Sequence, residues 1–220
     1  MFDHRMRIGI VACEVLKNEI ESLVENDPDI VHKDYLEFAL HVYPEDMRRT
    51  IVEKVDQLEG MVDAVLIGYA VCQSLDGLDR EVKVPSIMLE GDDCISVLLG
   101  PTQYAGAKAE CTGTWFSSPG WAELGMSGVI KELHLDSMLE EGFGPEYFLD
   151  IIFDAYKRCL YIDTGVGDRE SLERLSFDFA RQLRLPHESR CGTLENLDKA
   201  LRRTKELAQC VINGTYHGNG

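Results

Sequence analysis

A short apolar run that breaks at glycine or cysteine and gives way to helical periodicity recurs along this chain of 220 residues. Ile8 to Ala12 runs into Cys13, Ala64 to Ile67 into Gly68 and then Cys72, and Val84 to Leu89 into Gly91 and then Cys94. Arg158 to Ile162 ends in the same way at the turn DTGVGD, Asp163 to Asp168. Runs this short and this apolar read as strands covered on both faces, as in a parallel sheet between helices. The first turn leads into a segment whose Val15, Leu16, Ile20 and Leu23 share a helical face. Strand, tight turn and helix in succession predict an α/β fold of three layers, a largely parallel, Rossmann-like sheet with helices on both faces.

The remaining elements follow from punctuation. Tyr35 to Leu40 reads as a second strand ending in His41, and Pro44 to Leu58 as a helix with proline in its first turn and Gly60 just past its end. Asp92 or Asp93 suits the N-cap of a short helix over Ile95 to Leu99. Gly100 to Gly128 holds both tryptophans, in GTWFSSPGW, and reads as a long connection of the kind that serves as a lid or binding loop. Helices are expected at Lys131 to Leu139, Pro145 to Tyr156, Glu170 to Leu183 and Leu194 to Cys210, with a last strand at Leu185 to Cys191. The expectation is a single α/β domain over 1–220, with any subdivision near 100–130.

Charge removes whole classes of partner. With 39 acidic and 22 basic residues the net charge is -17, which repels nucleic acid and anionic membrane. No apolar run approaches the roughly 20 residues of a membrane span, and the N-terminus leads into a strand rather than a signal segment, so a cytoplasmic location is expected. In that compartment the 7 cysteines read as free thiols, metal ligands or redox groups rather than as a disulfide framework. No C-x-x-C pair occurs, so any metal site must be assembled from distant segments.

Ligands of open parallel sheets bind beyond the carboxyl ends of the strands. Cys13, Cys72 and Cys94 all fall there, and three thiolates in one place need a cation to offset their repulsion. Zinc would take a fourth donor, for which His41 is the candidate, or leave that position to water or substrate, and a cubane iron–sulfur cluster with three cysteine ligands satisfies the same count. Glu14 and Tyr69 flank the thiols and join the ligand-facing set, as do Trp115 and Trp121 of the aromatic loop. Asp163 opens a glycine-rich turn that could meet a ligand, although Asp168 beside it opposes an anion.

The succession ACEVLKNEIE, LHVYP, LIGYAVC, DDCISVLLG, GTWFSSPGW and YIDTGVGD resembles the family known as domain of unknown function 1638. The resemblance spans about Arg7 to Asp168, and the family pattern carries cysteines matching Cys13, Cys72 and Cys94 and a histidine matching His41. Before the last of these cysteines the family tends to a basic Pro-Arg-type run, where this chain has Leu89, Glu90, Gly91 and Asp92. That departure counts against an anionic ligand. The resemblance implies anaerobic one-carbon metabolism, since such proteins occur in methanogens and anaerobic bacteria beside corrinoid-dependent methyltransferase systems. The expected function is a thiolate metal-binding protein, zinc or iron–sulfur, in corrinoid-linked methyl metabolism. The alternatives are a metal-free module binding a corrinoid or other small molecule, and a partner subunit of a corrinoid protein or methyltransferase.

Overall fold

In a computed structural model of the chain, which describes residues 5–38, 44–70, 75–133, 135 and 145–216, the first sheet grows outward from β1 (Ile8–Cys13). The apolar side chains of β1 are fully covered on both faces, as its unbroken apolar run requires. A turn of 3-10 helix (Glu14–Leu16) leads into α1 (Lys17–Val24), β2 (Ile30–Leu36) returns beside β1, and α2 (Pro44–Asp56) crosses to β3 (Ala64–Ala70). β4 (Ser86–Leu89) completes a sheet of order β2-β1-β3-β4, in which every pair is parallel.

Period-two alternation sorts the side chains of this sheet into two layers. Val11, Val65, Ile67 and Tyr69 pack with Met47, Ile51 and Val55 of α2 on one face. On the other, Ile8 and Ala64 pack with Ala208 of α8 (Glu195–Ile212), a helix that also contacts β4 and α1. Helices therefore cover both faces, and the expected three-layer α/β arrangement with parallel strands is present.

The chain divides into two compact units, Met1–Val97 with Leu194–Gly220, and Leu98–Thr193. The division in sequence falls inside α3 (Cys94–Leu99). The second unit has its own parallel sheet, of order β5-β6-β7, formed by β5 (Thr114–Ser117), β6 (Arg158–Asp163) and β7 (His187–Cys191). Its helices are α4 (Pro101–Glu110), α5 (Pro119–Glu132), α6 (Pro145–Phe153) and α7 (Arg169–Gln182). Val129, Leu149, Phe153, Phe179 and the fully buried Cys159 form its core.

Three sequence expectations change. Gly100 to Gly128 is not a long connection but α4, β5 and most of α5, with Pro101 and Pro119 in the first turns of the helices and Ser118 capping α5. Glycines hid this periodicity. One of them, Gly125, breaks the helical backbone of α5 with a φ of 53°. The second strand starts at Ile30 and ends at Leu36, five residues before His41, because as an edge strand it is only half-buried and lacks the apolar run that marks its neighbours. Helix is found up to Glu132 rather than starting near Lys131, and most of the helix expected at Lys131 to Leu139 lies outside the described residues.

Candidate functional site at the carboxyl edge of the first sheet

The order β2-β1-β3-β4 reverses direction between β1 and β3, and in open α/β sheets such a reversal leaves a crevice beyond the strand ends where ligands bind. Cys13 is the last residue of β1 and Tyr69 the penultimate residue of β3. Ala12 pairs with Gly68, so the next residues, Cys13 and Tyr69, stand side by side. Both pack on the α2 face, Cys13 half-buried and Tyr69 buried.

β3 reaches this position through an irregularity. Ile67 pairs with Met88 of β4 but Ala70 pairs with Leu89, so Gly68 and Tyr69 are extra residues against β4. Bulges of this kind re-aim a side chain beside functional sites. The hydroxyl of Tyr69 ends up enclosed, with no hydrogen-bond partner among the described residues. Leaving a buried hydroxyl unpaired costs about 1–3 kcal/mol. Burial, and then the negative fields of Cys13, Glu14 and Asp34, push its pKa well above the usual phenol value, so it remains a donor.

The surrounding polar groups are acidic. Glu14 accepts a hydrogen bond from the backbone N–H of Phe38 through Oε1, at 3.0 Å, tying the segment after β2 to the end of β1. Asp34 of β2 is held by Lys54 of α2 at 2.9 Å. The sequence gives no sign of Asp34 as a site residue, because the second strand is displaced from where its apolar residues suggest.

Cys94 begins α3, five residues after β4, and is half-buried. Asp93 serves that helix as a cap: its Oδ1 accepts from the N–H of Ser96 at 2.7 Å, while the Ser96 hydroxyl oxygen accepts from the N–H groups of Asp92 and Asp93. This reciprocal bonding is that of a capping box. Gly91, with a φ of 150°, makes the turn that precedes it.

Cys72 and His41 lie outside the described residues. Among the described residues no His, Cys, Asp or Glu side chains are grouped so that three could hold a metal ion. A three-thiol centre would have to include Cys72 with Cys13 and Cys94. Clefts of about 350 Å³ and 330 Å³ lie elsewhere, one lined by Phe153 and Leu183 in the second unit, the other by Arg80, Met88 and Arg203 in the first.

Trp115, Trp121 and Asp163 belong to the second unit. Trp115 meets Trp121 edge-on at 5.7 Å between ring centroids and also contacts Phe153, Tyr156 and Phe179, so the aromatic residues are carried on β5 and α5 within that unit's packing. Asp163 ends β6 and accepts from Arg169 Nε at 3.0 Å and from the Gly165 N–H at 2.9 Å. The Arg169 guanidinium holds its carboxyl below the usual range. Nothing in the sequence singled out Arg169 as its partner.

No helix among the described residues is long and apolar enough to cross a membrane. No curated protein and no solved structure matches the chain. The profile of the family described as Protein of unknown function (DUF1638) does match it, over residues 35–201, and the chain belongs to that family.

Proposed function

We propose that the first unit is a thiolate metal-binding unit whose centre, zinc or an iron–sulfur cluster, is held at the carboxyl edge of its sheet by Cys13, Cys72 and Cys94. The observation that supports this reading is the placement of Cys13 beside the unpaired Tyr69 hydroxyl where the strand order reverses. Glu14 stands just past the end of β1 and adds a carboxylate there. His41 is a further donor in the zinc form. Bound zinc would activate a thiolate nucleophile, and a cluster would deliver electrons. Corrinoid-linked methyl transfer in one-carbon metabolism is the setting that the family resemblance implies.

The test is metal analysis with an absorbance spectrum on protein purified without oxygen. Near-stoichiometric zinc, or iron with visible absorption that dithionite bleaches, is expected, and either is lost in Cys13→Ser, Cys72→Ser and Cys94→Ser. Substoichiometric metal of every kind, unchanged in the three variants, overturns the reading.

A further inference from the structure

In the second unit β7 pairs with β6 on one side, and among the described residues no strand pairs with its other side. Glu188, Ser189 and Cys191 are exposed there. An open edge of this kind offers unpaired N–H and C=O groups to another strand. Which groups face outward follows from the register. The Pro186 carbonyl accepts from the Cys159 N–H and the Gly192 N–H donates to the Asp163 carbonyl, each at 2.8 Å. Backbone groups alternate sides along a strand, so residues 188 and 190 also turn theirs to β6, while His187, Ser189 and Cys191 turn N–H and C=O to the open edge. We propose that this edge receives the same edge of a second copy of the chain, antiparallel, about a twofold axis at Ser189.

The sequence HESRC is complementary to itself in that arrangement. With Ser189 opposite Ser189 of the second copy, His187 falls opposite Cys191, and every outward N–H and C=O of the strand meets a partner in these hydrogen-bonded pairs. Glu188 falls opposite Arg190 in the pairs between them, where side chains approach most closely and opposite charges attract. Glu188 accepts from Arg158 at 2.7 Å and Arg190 donates to Glu110 at 2.9 Å, so joining two copies extends a row of alternating charge rather than breaking one. On the other face Phe177 of α7, half-exposed and 5.7 Å from the His187 ring, lies beside the edge as an apolar residue for the second copy to cover. The edge strand β2 lacks this property, since self-pairing about its central Lys33 sets lysine against lysine. The twofold axis closes the contact and leaves no β7 edge for a third copy.

Sedimentation of the full chain measures the association at physiological ionic strength, where repulsion between copies of net charge -17 is screened beyond about 8 Å. A dimer is expected, retained in Ser189→Ala and held about thirtyfold more weakly in Ser189→Pro, which removes one outward N–H from each copy and no bond to β6. Circular dichroism checks that the proline variant is folded. The register is read separately in a chain carrying Ser189→Cys with Cys191→Ser and Cys210→Ser. The sulfurs at position 189 then meet across the axis, at a Cα separation of about 5.5 Å that a disulfide spans, and mild oxidation is expected to link the copies. A monomeric native chain overturns the proposal. So does a dimer that forms no such link, or one of unchanged affinity in folded Ser189→Pro.

Discussion

Gly68 of β3 lies so close to Ala12 of β1 that a Cβ on the glycine would stand 2.3 Å from the Ala12 Cβ. The two strands that frame the candidate crevice therefore approach through a pair in which only one partner has a side chain. Gly68→Ala is expected to destabilise the protein by about 2–3 kcal/mol through overpacking. Adding Ala12→Gly recovers part of that loss, because the clash is between the two methyl groups. Urea unfolding of the two variants beside the native protein measures both effects.

The Asp93–Ser96 box holds the first turn of α3, which begins with Cys94. Asp93→Ala is expected to cost about 1 kcal/mol and Asp93→Asn a few tenths, since asparagine supplies the same acceptor. Thermal melts separate the two. Because the role assigned here is capping, Asp93→Asn leaves metal content unchanged in the same preparations.

Arg158 is buried at the start of β6, where Nε donates to the Thr114 hydroxyl at 2.9 Å, one Nη to Glu188 at 2.7 Å and the other to the carbonyl of Ala107 at 3.0 Å. It joins β5, β6, β7 and α4 through one side chain. Arg158→Met strands several of these acceptors and is expected to cost about 2–3 kcal/mol, below the usual loss for a buried pair because Glu188 is half-exposed. Arg158→Lys restores only part, lacking the planar fork. Denaturant midpoints of the two variants test the order.

His187 contacts the buried Ser176 hydroxyl at 3.1 Å, and burial lowers its pKa from the ordinary 6.5 against an opposing pull from Glu173. The folded state thus disfavours the charged ring. Its contribution to stability is complete above about pH 6.5, falls as pH drops through that value, and levels off below the folded pKa. The urea midpoint is expected to fall between about pH 7.5 and about pH 5.5, and to fall less in His187→Gln. An identical slope in the variant would assign the change to other groups.

The buried strands were legible in the sequence because a strand covered on both faces must be apolar throughout. β1, β3, β4 and β6 lie within a few residues of where their runs place them. β2 was misplaced because an edge strand is half-exposed, with His32, Lys33 and Asp34 interrupting the pattern. The segment around the tryptophans was misjudged for a different reason: glycines at 106, 120, 125 and 128 imitate loop composition, while Pro101, Pro119 and Ser118 mark helix starts.

At the candidate site, local spacing in the sequence placed Cys13 at a strand end and offered Asp92 or Asp93 as the cap, of which Asp93 serves. It offered nothing on the pairing of Ala12 with Gly68, which brings Cys13 and Tyr69 to the same edge, or on the bulge in β3 at Gly68 and Tyr69. These depend on contacts between residues far apart in the chain.

Local pattern alone determined that this chain is α/β and that its buried strands run parallel, and a simple count that its net charge is strongly negative. Those properties follow from side-chain periodicity and summed charge, which any short window or a simple count reveals. The tertiary structure alone decided that the strands divide into sheets of four and three, and that the C-terminal α8 returns to the first unit. It also decided that a tyrosine hydroxyl is shut in beside Cys13. Strand partners, register and enclosure are set by which distant surfaces pack best, and no stretch of sequence contains that comparison by itself.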